Sequence, residues 1–269
     1  MNGGSAPHGP EGPFHLLGMR VDTLDPHAGL EWIARQALAG RAGYCCIGNV
    51  HQCMLIHDDP EFARVVNGAA LVMTDSRILH RFIAHDNGTC ATETMRGADM
   101  MLALCLLAEA QNIPIGLVGG ADVVWLAELE RRLRASYPKL QIAYSFSPSI
   151  AGLDRAEEAA MLRAIDASGA RLVFVGLGCP KQERWMARHS PTLRAMLIGV
   201  GAAFDFNGGR VRKSPRWVHA AGLEWGYRLM SEPKRLWRRY LSTSPRFLLA
   251  YVRRRSRRGG LTESQVPRS

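Results

Sequence analysis

The sequence predicts an α/β fold: a Rossmann-like, mostly parallel sheet with helices on both faces, followed by a basic helical appendage at the C-terminus. Three observations predict it. Short, nearly all-apolar runs such as RLVFV at 171–175 alternate with longer amphipathic segments such as ADVVWLAELERRLRASY at 121–137. Strands apolar on both sides belong to sheets covered on both faces. Several of these runs end on glycine, asparagine or aspartate, at the carboxyl edge where such sheets hold ligands. Finally, from Arg210 to Arg258 the many basic residues face only Glu224 and Glu232, and they alternate with tryptophan and tyrosine.

The elements follow in order. Residues 1–13, MNGGSAPHGPEGP, are Gly/Pro-rich and read as a disordered N-terminus. FHLLGMRV at 14–21 reads as a short strand, and a helix over 26–39 starts at Pro26 with Asp25 placed to cap it. YCCIGN, a helix over about 59–67, ALVMTD and a helix from about Ser76 come next. Three strand–helix pairs follow: IPIGLVGG with 121–137, LQIAYSFSP with AEEAAMLRAIDASG, and RLVFVGLG with PKQERWMARH. AMLIGVGAAFDF at 195–206 closes a Rossmann-like domain over 14–209. Residues 210–252 read as a helical appendage broken by Pro215 and Pro233, and 253–269 as a disordered basic tail.

Composition bounds the function. The chain has 269 residues, 47% of them apolar, enough for a substantial core. The longest apolar stretches, MMLALCLLA at 100–108 and FLLAYV at 247–252, are too short to cross a bilayer, and no signal segment precedes Phe14, so a cytoplasmic protein is expected. Six cysteines show no CxxC pair and no zinc-type spacing, so they read as reduced core residues, with no metal and no cofactor expected. The net charge of +10, concentrated in the appendage, calls for an anionic partner.

Three constellations carry candidate chemistry. In GLGCPKQERW at 176–185 a strand turns through glycines into a helix, so backbone N–H groups near Pro180 could receive an anion, with Lys181 adding charge and Gln182 and Glu183 offering hydrogen bonds. The plainer reading is that Gln182 and Glu183 support the first helical turn while Trp185 packs on the sheet. Asp75 ends the apolar run LVMTD and is either the cap of the next helix or a base in a cleft. GVGAAFDFNGG at 199–209 allows close approach of a ligand, with Asp205 as a candidate contact; no DxD pair of the metal-using kind is present. Arg228, Arg235 and Arg238 fall on one helical face if the helix runs through Pro233 or restarts just after it, a face suited to phosphate oxygens, the alternative being a solvated basic face over buried Trp225 and Trp237.

VGLGCPKQERW followed by IGVGAAFDFNGGRVRKSPRWVHAAGLEWGYRLMSEPKRLWRRYL strongly resembles the WecG/TagA/CpsF glycosyltransferase family of bacterial cell-surface polysaccharide synthesis, over roughly residues 14–241. The resemblance implies an inverting, metal-independent transfer of a sugar of the N-acetylmannosamine, N-acetylmannosaminuronate or glucose type. The donor would be a UDP-sugar, and the acceptor a polyprenyl-diphosphate-linked saccharide at the inner face of the cytoplasmic membrane. It implies Asp75 as general base, Asn49 and Gln182 as cleft residues, and Arg228, Arg235 and Arg238 as arginines closing over the donor diphosphate. It allows a homo-oligomer and leads us to expect no nucleic acid. The basic appendage, with exposed aromatics such as Trp217 or Phe247, would hold the chain on anionic lipid. Three positions depart from the family pattern: Ser76 stands for a glycine, Ile47 for a threonine and Thr94 for an arginine, with Arg96 nearby as a candidate replacement. The competing reading is a basic nucleic-acid- or membrane-binding module without catalysis.

Overall fold

The computed structural model describes residues 13–88, 94–147, 153–215, 217–218, 221, 224–231 and 233–263. The expected disordered N-terminus falls, but for Pro13, outside them. The first expected strand is a hairpin, β1 (Phe14–Leu16) antiparallel to β2 (Met19–Val21). Leu17 and Gly18 turn it with positive φ of 49° and 88°, a conformation that LLGM does not announce because only one of the pair is glycine. Helix α1 (Pro26–Leu38) is capped as its sequence suggests, the Asp25 side chain accepting from the N–H groups of His27 and Ala28.

Six further strands form one sheet: β3 (Gly43–Gly48), β4 (Leu71–Thr74), β5 (Ile115–Gly119), β6 (Ile142–Phe146), β7 (Leu172–Gly176) and β8 (Met196–Gly199). Their order is β4-β3-β8-β7-β5-β6, every pairing parallel, as the doubly apolar strand runs require. Between them lie α2 (Val50–Asp58), α3 (Pro60–Asn67), α4 (Arg77–Asp86), α5 (Gly97–Ala110), α6 (Val123–Ser136), α7 (Arg155–Ala167) and α8 (Lys181–His189). Short α9 (Ala203–Asn207), α10 (Glu224–Ser231) and the long α11 (Pro233–Glu263) complete the described elements used below.

Strand alternation divides the core into two layers. Cys45, Ile47, Phe174 and Ile198 pack with α1, α5, α6 and α9 on one face. Tyr44, Cys46, Val173, Val175 and Leu197 pack with the hairpin, α2, α3, α4, α7 and α8 on the other. The edge strand β4 is covered in part by the segment after the hairpin: the Asp22 N–H donates to the Val72 carbonyl at 2.8 Å, and the Val72 N–H donates to the Asp22 carboxylate at 2.7 Å.

The appendage corrects two expectations. α11 continues past Arg253 to Glu263, and its middle docks on the body. Phe247, expected as an exposed membrane contact, is 1% exposed and meets Phe82 edge-to-face at 5.3 Å, with Tyr251 on the same ring at 4.3 Å. Arg246 pairs with Asp58 of α2 at 2.9 Å, and Arg254 donates to the His15 carbonyl at 3.0 Å. A neighbouring face of α11 carries exposed apolar side chains, Trp237, Leu241, Leu248 and Val252. Trp225 and Trp237 are therefore not buried anchors of a basic face; they are 45% and 46% exposed.

Candidate active site

A parallel sheet brings all its strand ends to one edge, and here that edge opens into a cavity of about 480 Å³. The ends of β3, β5, β7 and β8 contribute Ile47, Gly120, Gly176 and Gly199, and Asp75 follows β4. The walls come close because side chains are missing there. A Cβ on Gly176 would stand 2.8 Å from the Phe204 ring, and one on Gly199 would stand 2.9 Å from the Gln182 amide nitrogen.

Two polar residues reach the cavity from strand-to-helix junctions. Asn49 lines it and also caps α2, its side-chain oxygen accepting from the Gln52 N–H at 3.1 Å. Asp75 lines it and is not the cap of α4; the neighbouring Ser76 takes that task, its Oγ accepting from the Leu79 N–H at 3.3 Å. Serine in the usual glycine position thus serves the helix, not the cleft. The Asp75 carboxylate lies against the first turn of α5, where a Cβ on Gly97 would be 3.1 Å from Oδ2.

The cavity is also lined with cations. Arg96, Arg210, Lys213 and Arg228 all line it. Arg96 donates to the Asp99 carboxylate at 2.6 Å and to the Ser214 carbonyl at 2.8 Å, while Lys213 reaches the same Asp99 at 3.1 Å. Residues 210–214 are thereby held over the cleft. Asp205, expected as a substrate contact, lines the cavity but holds Arg210 in a two-point pair, at 2.8 and 2.7 Å. Arg228 comes from α10, its guanidinium 5.4 Å from the Phe206 ring centre and its buried Nε without a hydrogen-bond partner among the described residues. Arg235 and Arg238 lie on α11, but their side chains fall outside the described residues.

The GLGCPKQERW turn differs from its expected form. Lys181 is exposed and does not line the cavity. The first turn of α8 already holds an acid of its own: Glu183 is 1% exposed, and its Oε1 accepts from the side-chain amides of Gln182 at 2.8 Å and Gln52 at 2.9 Å. Burial pushes the Glu183 carboxyl above the usual carboxylate range, against the smaller opposing effect of Gln182, its own backbone N–H, Cys179 and Gln52. Gln182 does line the cavity.

Sequence reasoning assigned no role in the site to Arg210, Lys213, Phe204 or Phe206. The signal was present for the cations, since RVRK follows the glycine-rich loop directly. In the sequence it reads as bulk charge, because nothing in the spacing says that the strap folds back over the strand ends.

The family model described as "Glycosyl transferase WecG/TagA/CpsF family" matches residues 14–260, nearly the whole chain. With the parallel sheet, the strand-end cavity and that match in place, the chain belongs to the WecG/TagA/CpsF glycosyl transferase family and is a glycosyltransferase of cell-surface polymer synthesis.

Proposed function

We propose that the protein transfers a sugar of the N-acetylmannosamine, N-acetylmannosaminuronate or glucose type, with inversion, from a UDP-sugar to a polyprenyl-diphosphate-linked saccharide. The observation that carries this reading is the pairing, in one cavity, of the Asp75 carboxylate with four cations, Arg96, Arg210, Lys213 and Arg228. A sugar nucleotide needs both. Asp75 takes the proton of the acceptor hydroxyl as that oxygen attacks the anomeric carbon from the face opposite the nucleotide, and inversion follows from this in-line geometry. As the sugar–oxygen bond breaks, negative charge builds on the departing diphosphate, and fixed guanidinium and ammonium groups stabilise it in a partly closed cleft.

The acceptor's polyprenyl chain implies work at a membrane. No described helix is long and apolar enough to cross one. The exposed apolar face of α11, flanked by arginines, supports contact with an anionic surface instead.

The direct test is product analysis by mass spectrometry with a panel of UDP-sugars and a lipid-diphosphate acceptor. Asp75→Asn is expected to lose roughly 10²- to 10⁴-fold in kcat while UDP affinity and melting temperature stay near wild type. Near-wild-type turnover of that variant removes Asp75 from the mechanism. Transfer is expected to persist in EDTA, and strict dependence on added Mg²⁺ or Mn²⁺ overturns the role given to the four cations.

A further inference from the structure

The buried Glu183 lies behind the cavity wall, in contact with one residue that forms it. A carboxylate accepts hydrogen bonds and donates none. Gln182 must therefore turn its NH₂ group to Glu183, as the 2.8 Å contact records, and its carbonyl oxygen the other way. That oxygen is buried, has no hydrogen-bond partner among the described residues, and sits 3.5 Å from where a Cβ on Gly201 would stand, nearer than the amide nitrogen at 3.9 Å; Gly201 itself lines the cavity. Gln182 as a whole is 5% exposed. An acceptor held without a partner at a cavity wall costs stability in the free protein, and a donor brought by a ligand offsets that cost in the complex.

We infer that Glu183 is a positioning residue: it locks the Gln182 amide so that its carbonyl oxygen faces the cleft and accepts a hydrogen bond from an N–H or O–H group of the bound sugar nucleotide. This rests on the UDP-sugar reading above. The second amide on Glu183, from Gln52, braces the same carboxylate oxygen from α2 and keeps it from swinging away. Without the negative charge, the amide can turn over and present NH₂ to the ligand donor, which repels it.

The arrangement also gives the lock a pH dependence. Because burial raises the Glu183 carboxyl, protonation comes at a higher pH than for an exposed glutamate, and a protonated carboxyl can donate to the Gln182 oxygen and release the lock. Affinity is thus present above the raised value and lost as pH falls through it. The titratable groups facing Glu183 are Cys46 of β3 and Cys179 before α8; burial holds Cys46 far above its ordinary range, hence neutral throughout. Arg20 of the hairpin acts on Cys46 from further out.

The test is a double-mutant cycle on UDP and UDP-sugar affinity with Glu183→Gln, Gln182→Met and the double variant. Glu183→Gln is expected to bind about fivefold to tenfold more weakly and to lack the acid limb of the wild-type profile, while its melting temperature at pH 8 is no lower, since a charge has left the core. In the Gln182→Met background the same change is expected to cost nothing. An effect already present with UDP places the ligand donor on the nucleotide; one confined to UDP-sugars places it on the sugar. Full additivity, or wild-type affinity with an unchanged pH profile in Glu183→Gln, overturns the inference while leaving the enzyme reading intact. If Glu183→Gln folds poorly, the acid limb compared between wild type and Gln182→Met decides, and its persistence in Gln182→Met overturns the lock. A folded wild type that binds neither UDP nor UDP-sugars brings down the enzyme reading, and this one with it.

Discussion

Gly97 shows how single positions divide fold from chemistry. It opens α5, where alanine is a better helix former, yet an added Cβ would meet the Asp75 carboxylate at 3.1 Å. Gly97→Ala is expected to keep or raise the melting temperature and to cut turnover roughly tenfold or more by displacing the base; unchanged kcat would mean that the carboxylate need not hold that place. Asp75 itself was half legible. Its strand-end position gave cap or base, and only the Ser76 Oγ hydrogen bond to the Leu79 N–H assigns the cap elsewhere. Glu183 was not legible, because an acid at the third position of a helix reads the same whether the side chain lies in water or under a sheet. What buries it is the approach of α2, which brings Gln52 across 131 residues of sequence.

Among the elements, strands were the most legible, since apolar runs bounded by glycine leave few other solutions. Two helices escaped. In α2 the buried residues Gln52, Cys53, Met54 and Ile56 follow one another without a helical stripe, and α5 is apolar nearly all round, so neither has the period that marks a surface helix. α11 was misjudged at its far end because charge density in its sequence masks the docking residues at 247 and 251. Its anchor is specific: Phe247→Ala is expected to cost about 3–5 kcal/mol, the usual range for emptying a buried aromatic site. Urea unfolding checks this. A loss below about 1 kcal/mol would show that α11 is held by its arginine contacts instead.

For the whole molecule, the cleft is assembled from the two ends of the chain's order: the strand-to-helix junctions supply Asn49 and Asp75, the first turn of α8 supplies Gln182, and the appendage returns with Lys213 and Arg228. Fold class follows from local alternation, whereas this return depends on long-range pairs such as Arg96 to Ser214, which no local pattern encodes. The exposed face of α11 belongs to this scale too. Vesicles containing anionic phospholipid are expected to blue-shift tryptophan emission and to retain the protein, at ~1 kcal/mol per basic side chain that nears the surface. Leu241→Ser with Leu248→Ser is expected to abolish retention without altering UDP affinity, and vesicle binding equal to wild type would discharge α11 from that role.

The two attachments of the appendage differ in kind. Residues 210–214 are tethered to the body by the Asp205–Arg210 and Asp99–Lys213 ion pairs near the surface and by the Arg96 hydrogen bond to the Ser214 carbonyl, while α11 is seated mainly through the buried Phe247 and Tyr251 rings, with the Arg246–Asp58 pair beside them. Added salt is expected to weaken the first more than the second, since it competes with exposed ion pairs and leaves buried apolar contacts in place. The roof of the cleft is then the part that added salt is expected to loosen first, while the walls stand.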